Sequence, residues 1–405
     1  MDYKSFLKKY WPAIAILIII ILSIYVRTID YRWPYLRNID SYTFYRQMDE
    51  IVANGGVMPS FDNLMLAPDG APRKVELFPY QYLGAYSYMF VRIFADIQLW
   101  QWLIYLPAIL ASLMAIPMYY IGKILYDRRA GVLAAFFVVF DISNISRTLG
   151  GDPDSDAIVL LFPLIVMAVF LFTYKYIEKE KLNKKAILFS IITGILLGLW
   201  GHIWVGYWYV IWLITGMIIL KFLIDYMRTK NLRQEWQNIK HIIYSYIIMI
   251  VIMSLILVPF FGLSKIANAF TGPIEFQDIK KDTSIMSGEK TIFPNVYVSV
   301  AELQESGGIK DIILRTTTLQ GPLLFISPFF LMIYALIYLL YSYYKKKQHL
   351  DTAILLLIWF LGPLLATIIA VRFTVLFSAP MAIGSAIILT KLWRMARGED
   401  EKFED

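Results

Sequence analysis

Apolar residues in this chain come in runs close to the ~20 residues that a helix needs to cross a bilayer, separated mostly by short polar stretches. Such runs cover 12–26, 99–122, 130–146, 157–174, 186–226 (long enough for two), 241–262, 320–344, 352–370 and 373–391. The pattern predicts an all-α polytopic membrane protein of about ten to twelve helices, with about ten crossings. The first run follows Lys4, Lys8 and Lys9 and ends without a small-x-small site in Ser23–Arg27, so it reads as an uncleaved signal anchor. Two interruptions are too long to be connectors. The first, about 27–98, holds Pro, Gly and Asp clusters and a predicted short helix over Ser41–Val52. The second, about 263–318, is polar and contains Gly272-Pro273 and Gly307-Gly308. Long loops with little secondary structure of their own are usually functional.

Composition excludes the other classes. Hydrophobic residues make up 59% and charged residues 17%, with a mean hydropathy of +0.59, which no ordinary soluble domain shows. Aromatics at 16% and the lack of a sustained heptad seam exclude disorder and a coiled coil, and with no cysteine any outer part folds without disulfides. The net charge of +7 reads as topology rather than as nucleic-acid binding. Alternating sides from a cytoplasmic N-terminus puts 23 of the 38 basic residues in the inner loops, while on the other side acids outnumber the remaining 15. Basic loops such as Lys345-Lys346-Lys347 face anionic membrane lipids. No repeat or soluble domain interrupts the chain, so 1–405 reads as one transmembrane domain in the cell membrane with an elaborated external face.

Candidate chemistry gathers on that face. Gly150-Gly151-Asp152-Pro153-Asp154-Ser155-Asp156 sets three carboxylates within five residues before an apolar run. Their mutual repulsion would be relieved by a hard divalent cation, Mg²⁺ or Mn²⁺, which takes oxygen ligands. An EF-hand is excluded by Ala157 and Pro163 where Gly and Glu are required; capping of the following helix is the plainer alternative. Asp40 follows the first crossing and can act as N-cap of the helix starting at Ser41, Glu302 sits in the second long loop, and Arg372 interrupts an apolar run. Each alone is ambiguous, since an exposed loop Glu is ordinarily solvated and an Arg at a membrane boundary either snorkels or pairs with an anion.

Taken together, Arg37-Asn38-Ile39-Asp40-Ser41, Asp154-x-Asp156 after Arg147-Thr148-Leu149-Gly150-Gly151, Ser299-x-x-Glu302 and Val371-Arg372-Phe373 occur in an order that resembles the catalytic subunit of oligosaccharyltransferase. That family has a GT-C-type transmembrane domain and moves a lipid-linked oligosaccharide, on a dolichyl or polyprenyl carrier, to asparagine in Asn-x-Ser/Thr of an acceptor polypeptide. The resemblance implies that Asp40, Asp154, Asp156 and Glu302 hold the divalent metal, and that Asp40 and Glu302 also contact the acceptor amide. It gives Arg372 to the reaction centre and, with Arg147, to substrate binding. Trp200-Gly201 resembles an element of the family's middle helices, where His202 departs from the commoner Gly and is expected to be structural. No Trp-Trp pair occurs, so the family's Trp-Trp-Asp-Tyr-Gly motif, and the C-terminal soluble domain that carries it, is expected to be absent. Asn144-Ile145-Ser146 is itself an acceptor-type triplet, read as chance. The alternatives are another GT-C transferase using a lipid-phosphate sugar and, with less support, a transporter. Transporters place charge at mid-membrane and repeat their fold, which this chain does not.

Overall fold

A computed structural model describes residues 3–73, 79–286 and 304–399. From the N-terminus, α1 (Tyr3–Thr28) leads to α2 (Ile39–Ala53), an antiparallel pair of β1 (Phe61–Asp62) and β2 (Ala71–Pro72), and α3 (Pro79–Val91). There follow α4 (Leu99–Leu113), α5 (Ala115–Leu125), α6 (Arg128–Val139), α7 (Ile142–Arg147), α8 (Asp156–Glu180), α9 (Lys184–Ile203), α10 (Trp208–Thr229), α11 (Leu232–Phe261) and α12 (Leu263–Met286). The last described elements are α13 (Ile309–Arg315), α14 (Pro328–Lys346), α15 (Leu350–Ile369), a 3-10 segment (Val371–Phe377) and α16 (Ser378–Ala396).

Among the described residues eight helices are long and apolar enough to cross a membrane: Lys9–Thr28, Leu99–Leu125, Asp156–Glu180, Lys184–Ile203, Val205–Thr229, Leu232–Phe261, Leu350–Ile369 and Val371–Ala396. Two further predicted runs take another form. The run 130–146 is broken at Phe140, because the Asp141 side chain accepts from the Asn144 N–H and starts α7 afresh. The 12-residue α6 left behind rises only about 18 Å against a hydrocarbon core of about 30 Å. The run 320–344 becomes α14, whose 19 residues rise about 28 Å, a length that still permits a crossing, and which ends on Lys345 and Lys346 as at a membrane–water boundary.

Glycines set how closely the helices pack. Gly194, Gly198 and Gly201 line one face of α9, and a methyl at Gly198 would come within 2.8 Å of Ile256 on α11. Small residues at this spacing let two backbones approach where lipid supplies no hydrophobic drive. At the end of the bundle reached by the C-terminal end of α8, Asp351 accepts from Lys175 at 2.7 Å and Lys221 at 2.8 Å, joining α8, α10 and α15.

The first long loop is more ordered than its composition suggests. Its predicted helix is present with slightly wider bounds, and α3 is an addition the sequence reading missed. The second also departs from expectation: α12 continues as helix through Gly272-Pro273, with Pro273 inside the helix and Gly272 giving the backbone close access to the Trp208 ring. Between α2 and β2 lies a half-buried ionic network. Arg46 pairs with Glu50 at 2.8 Å and Asp62 at 2.7 Å, and the buried Arg73 pairs with both acids. The hydrogen bond from Arg46, with those from Arg73 and the Leu64 and Met65 N–H groups, holds the Asp62 carboxyl well below the usual carboxylate range against its burial. The stabilisation is therefore present above the unfolded-state pKa and lost only as pH falls through the depressed folded value. Hydrogen exchange of residues 58–73 should stay slow at pH 4 and quicken only in stronger acid. Asp62→Asn should loosen the segment by about 2 kcal/mol at neutral pH by removing one charge-assisted partner of Arg73.

Candidate active site

The Arg147–Asp156 segment connects α7 to α8, and it is fastened from three directions. The Gly150 N–H donates to the Arg27 carbonyl at the end of α1 (2.9 Å), and the Gly151 N–H donates to the Ile104 carbonyl of α4 (3.0 Å). Arg37 closes the third side, its backbone N–H donating to the Gly151 carbonyl (2.8 Å) and its Nε to the Gly150 carbonyl (2.9 Å). These approaches leave no room for side chains: a Cβ on Gly150 would lie 2.9 Å from the Arg27 oxygen, and Gly151 has φ +80° with the Tyr31 ring against it. Beneath the loop, the fully buried Arg27 donates to Thr148 Oγ1 (2.9 Å), Ser23 Oγ (2.6 Å) and the Val139 carbonyl (2.8 Å), so its charge is held by oxygens on three elements. Sequence reading gave Arg27 and Arg37 no role.

The acids project from this fastened loop. Asp152 accepts from Ser41 Oγ at 2.7 Å, which joins the loop to the first turn of α2 beside Asp40. Asp154 turns back on its own chain and accepts from the N–H and Oγ of Ser155, while Asp156 opens α8 with Arg147 Nη1 3.5 Å from its Oδ2. Burial raises the Asp152 carboxyl above the usual carboxylate range, with Ser41 and Arg37 opposing and the charges of Asp154 and Asp40 adding to the rise. Asp40 is therefore within electrostatic reach of the loop. It is not the N-cap: Asn38 holds that position and accepts from the Asp40 N–H, so Asp40 stands exposed in the first turn. Tyr80, at the start of α3, carries a buried hydroxyl that burial and the charges of Asp154, Asp152 and Asp156 push well above the ordinary tyrosine range.

Arg372 lies exposed on the 3-10 segment, whose Val371 N–H donates to the Gln304 carbonyl at 3.0 Å. That bond pins the chain two residues after Glu302, which itself lies outside the described residues. The same 3-10 segment packs against α7, which ends at Arg147, and against α13. Among the described residues no group of three or more His, Cys, Asp or Glu side chains is arranged to hold a metal ion. His202 meets its structural expectation, with Nδ1 3.0 Å from the Gly198 carbonyl and its ring against Phe260 and Phe261. Asn144 of the acceptor-type triplet is buried, and its amide donates to the Val138 carbonyl (2.8 Å).

The family described as "Oligosaccharyl transferase STT3, N-terminal" matches residues 10–397. A curated relative, the dolichyl-phosphooligosaccharide-protein glycotransferase of Methanocaldococcus jannaschii, is 28% identical over 165 residues, which is 40% of this chain and 16% of that protein. The chain shares its fold with the Archaeoglobus fulgidus oligosaccharyltransferase AglB, solved with an inhibitory peptide and a dolichol-phosphate (TM-score 0.71, 19% identity, 98% of this chain and 53% of that one). The same enzyme solved with Zn and sulfate matches with a TM-score of 0.69 and 20% identity, over 95% of this chain and 50% of that one. This chain thus spans about half the length of those solved relatives.

Proposed function

This chain belongs to the oligosaccharyl transferase STT3 family and is an integral, multi-pass membrane protein, and on that premise we propose that it transfers an oligosaccharide from a lipid (poly)phosphate carrier to asparagine of an Asn-x-Ser/Thr acceptor. The single observation that carries the reading is the fastening of the Gly150–Asp156 loop to α1, α4 and α2, which holds Asp152 beside the helix of Asp40. In this reading the site faces the exterior of the cell membrane, opposite the basic loops.

Asp40 and Glu302 accept hydrogen bonds from the two N–H groups of the acceptor amide, drawing the nitrogen lone pair out of conjugation so that nitrogen attacks the anomeric carbon, and one of the two carboxylates takes the proton that the nitrogen loses. The bond that breaks joins that carbon to the diphosphate oxygen of the carrier. Arg372, with Arg147, balances the charge left on that oxygen. The residues that would hold a divalent cation, Mn²⁺ or Mg²⁺, are Asp40, Asp154 and Asp156 with Glu302; bound there, it adds positive charge beside the leaving group. Supporting this fit is the all-oxygen donor set; beside it burial raises the Asp152 carboxyl, and the charges of Asp154 and Asp40 add a like-charge repulsion that a cation would relieve.

The test reconstitutes the purified chain in nanodiscs with a dolichyl-diphosphate oligosaccharide, Mn²⁺ and a fluorescent Asn-Val-Thr peptide. The expected result is Mn²⁺-dependent release of glycan from the donor, to peptide or to water, that stops with EDTA. A chain that neither binds the donor nor releases glycan with Mn²⁺ present would falsify the reading.

A further inference from the structure

We propose that Tyr80 is a positioning residue that fastens the Asp152-Pro153-Asp154 turn to the helix of Asp40, and that this fastening sets the affinity of the site for a divalent cation; the second clause rests on the function proposed above. Tyr80 lies between the two acid-bearing elements and touches both. Its hydroxyl donates to the Pro153 carbonyl at 3.1 Å, the peptide unit directly before Asp154. Its ring meets Phe44 of α2 edge to face, with centroids 5.6 Å apart and planes at 78°, one helical turn beyond Asp40. The neighbouring Gln81 adds a second tie, its amide donating to Gln47 on α2 at 2.8 Å. Tyr80 is only 4% exposed and Pro153 is buried, so a lost hydroxyl leaves a carbonyl that has little access to water.

The geometry makes the ring and the hydroxyl separable. The ring holds α3 against α2 through Phe44, whereas the hydroxyl makes the hydrogen bond to the acid turn. Tyr80→Phe therefore keeps the helix packing and frees the turn. Tyr86→Phe is the control, because Tyr86, though more exposed, lies on the same helix and donates to another backbone carbonyl, that of Gly56 (2.8 Å), away from the acid loop.

Two measurements on the purified chain decide it. Hydrogen exchange without added metal should quicken at residues 152–156 in Tyr80→Phe and not in Tyr86→Phe. Titration with Mn²⁺ alone, followed by electron paramagnetic resonance, should give a Kd about three- to tenfold weaker in Tyr80→Phe, as expected for one lost hydrogen bond, with Tyr86→Phe at the wild-type value. Unchanged exchange together with a Kd within about twofold of wild type overturns the proposal. Equal weakening in both variants overturns it too, since the effect would then be a general loosening of the outer helices. Wild-type protein that binds no Mn²⁺ overturns the metal site and with it the affinity clause, whereas the exchange comparison still decides whether Tyr80 fastens the turn.

Discussion

Asp154→Asn is expected to lower Mn²⁺-dependent release of glycan from the lipid donor by roughly two to three orders of magnitude, the loss typical of removing one electrostatic stabiliser of developing charge. Asp152→Asn, two residues away, should cost less than about tenfold. The two acids differ in what they already hold. Asp152 is engaged by Ser41 Oγ, and an asparagine oxygen can accept the same bond, so its substitution removes a repelling charge and keeps the tie between loop and α2. Asp154 accepts only from Ser155 of its own chain among the bonds described, which leaves carboxylate capacity for a cation. Initial rates at saturating donor, measured over a range of Mn²⁺ concentrations, separate the cases. Comparable losses in the two variants would show that the acids act as an undivided charge cluster and would remove Asp154 from its special role.

Sequence legibility followed local signal. The crossings from α8 to α11, with α15, stood out because each offers a long apolar run whose ends are marked by charge or by Gly and Pro. By contrast α3, Pro79–Val91, mixes three residues of Tyr and Gln into its first five positions and shows no clear apolar stripe, so it passed as loop. Pro273 made α12 read as loop for the opposite reason, a strong local breaker that nonetheless lies inside the helix, where Gly272 packs on Trp208. At the site, the acids were visible as a dense local motif. Their fastenings were not: Ser41 meets Asp152 across 111 residues, Arg37 meets Gly150 across 113 and Tyr80 meets Pro153 across 73. Nothing in a single sequence specifies which of many tyrosines or arginines will meet a given loop carbonyl. The partial exception was Ser41, adjacent to Asp40 in the motif that drew attention to this region.

Gly151→Ala should displace the acid loop outright, weakening Mn²⁺ binding by more than about 100-fold while the spanning bundle stays folded. Two penalties act together at this position. A φ of +80° costs an L side chain about 1–2 kcal/mol. The added methyl would also lie 2.8 Å from Cδ2 and Cζ of Tyr31 and still closer to Cε2, and forced overpacking typically costs about 1–3 kcal/mol more. Tyr31 is not free to swing aside, because its hydroxyl donates to the Tyr35 carbonyl and its ring lies under the Arg37 guanidinium, 5.9 Å from centroid to Cζ. Moving Tyr31 disturbs Arg37, and Arg37 is what ties Gly150 and Gly151 to the start of α2. The strain therefore transfers directly to the spacing between Asp40 and Asp154. A second substitution, Tyr31→Ala, removes the clash and leaves only the backbone penalty, so the double variant should recover about tenfold or more of the lost affinity. Mn²⁺ titration of the two single variants and the double variant measures that coupling. Equal affinity in Gly151→Ala and the double variant would show that the Tyr31 contact does not govern the loop.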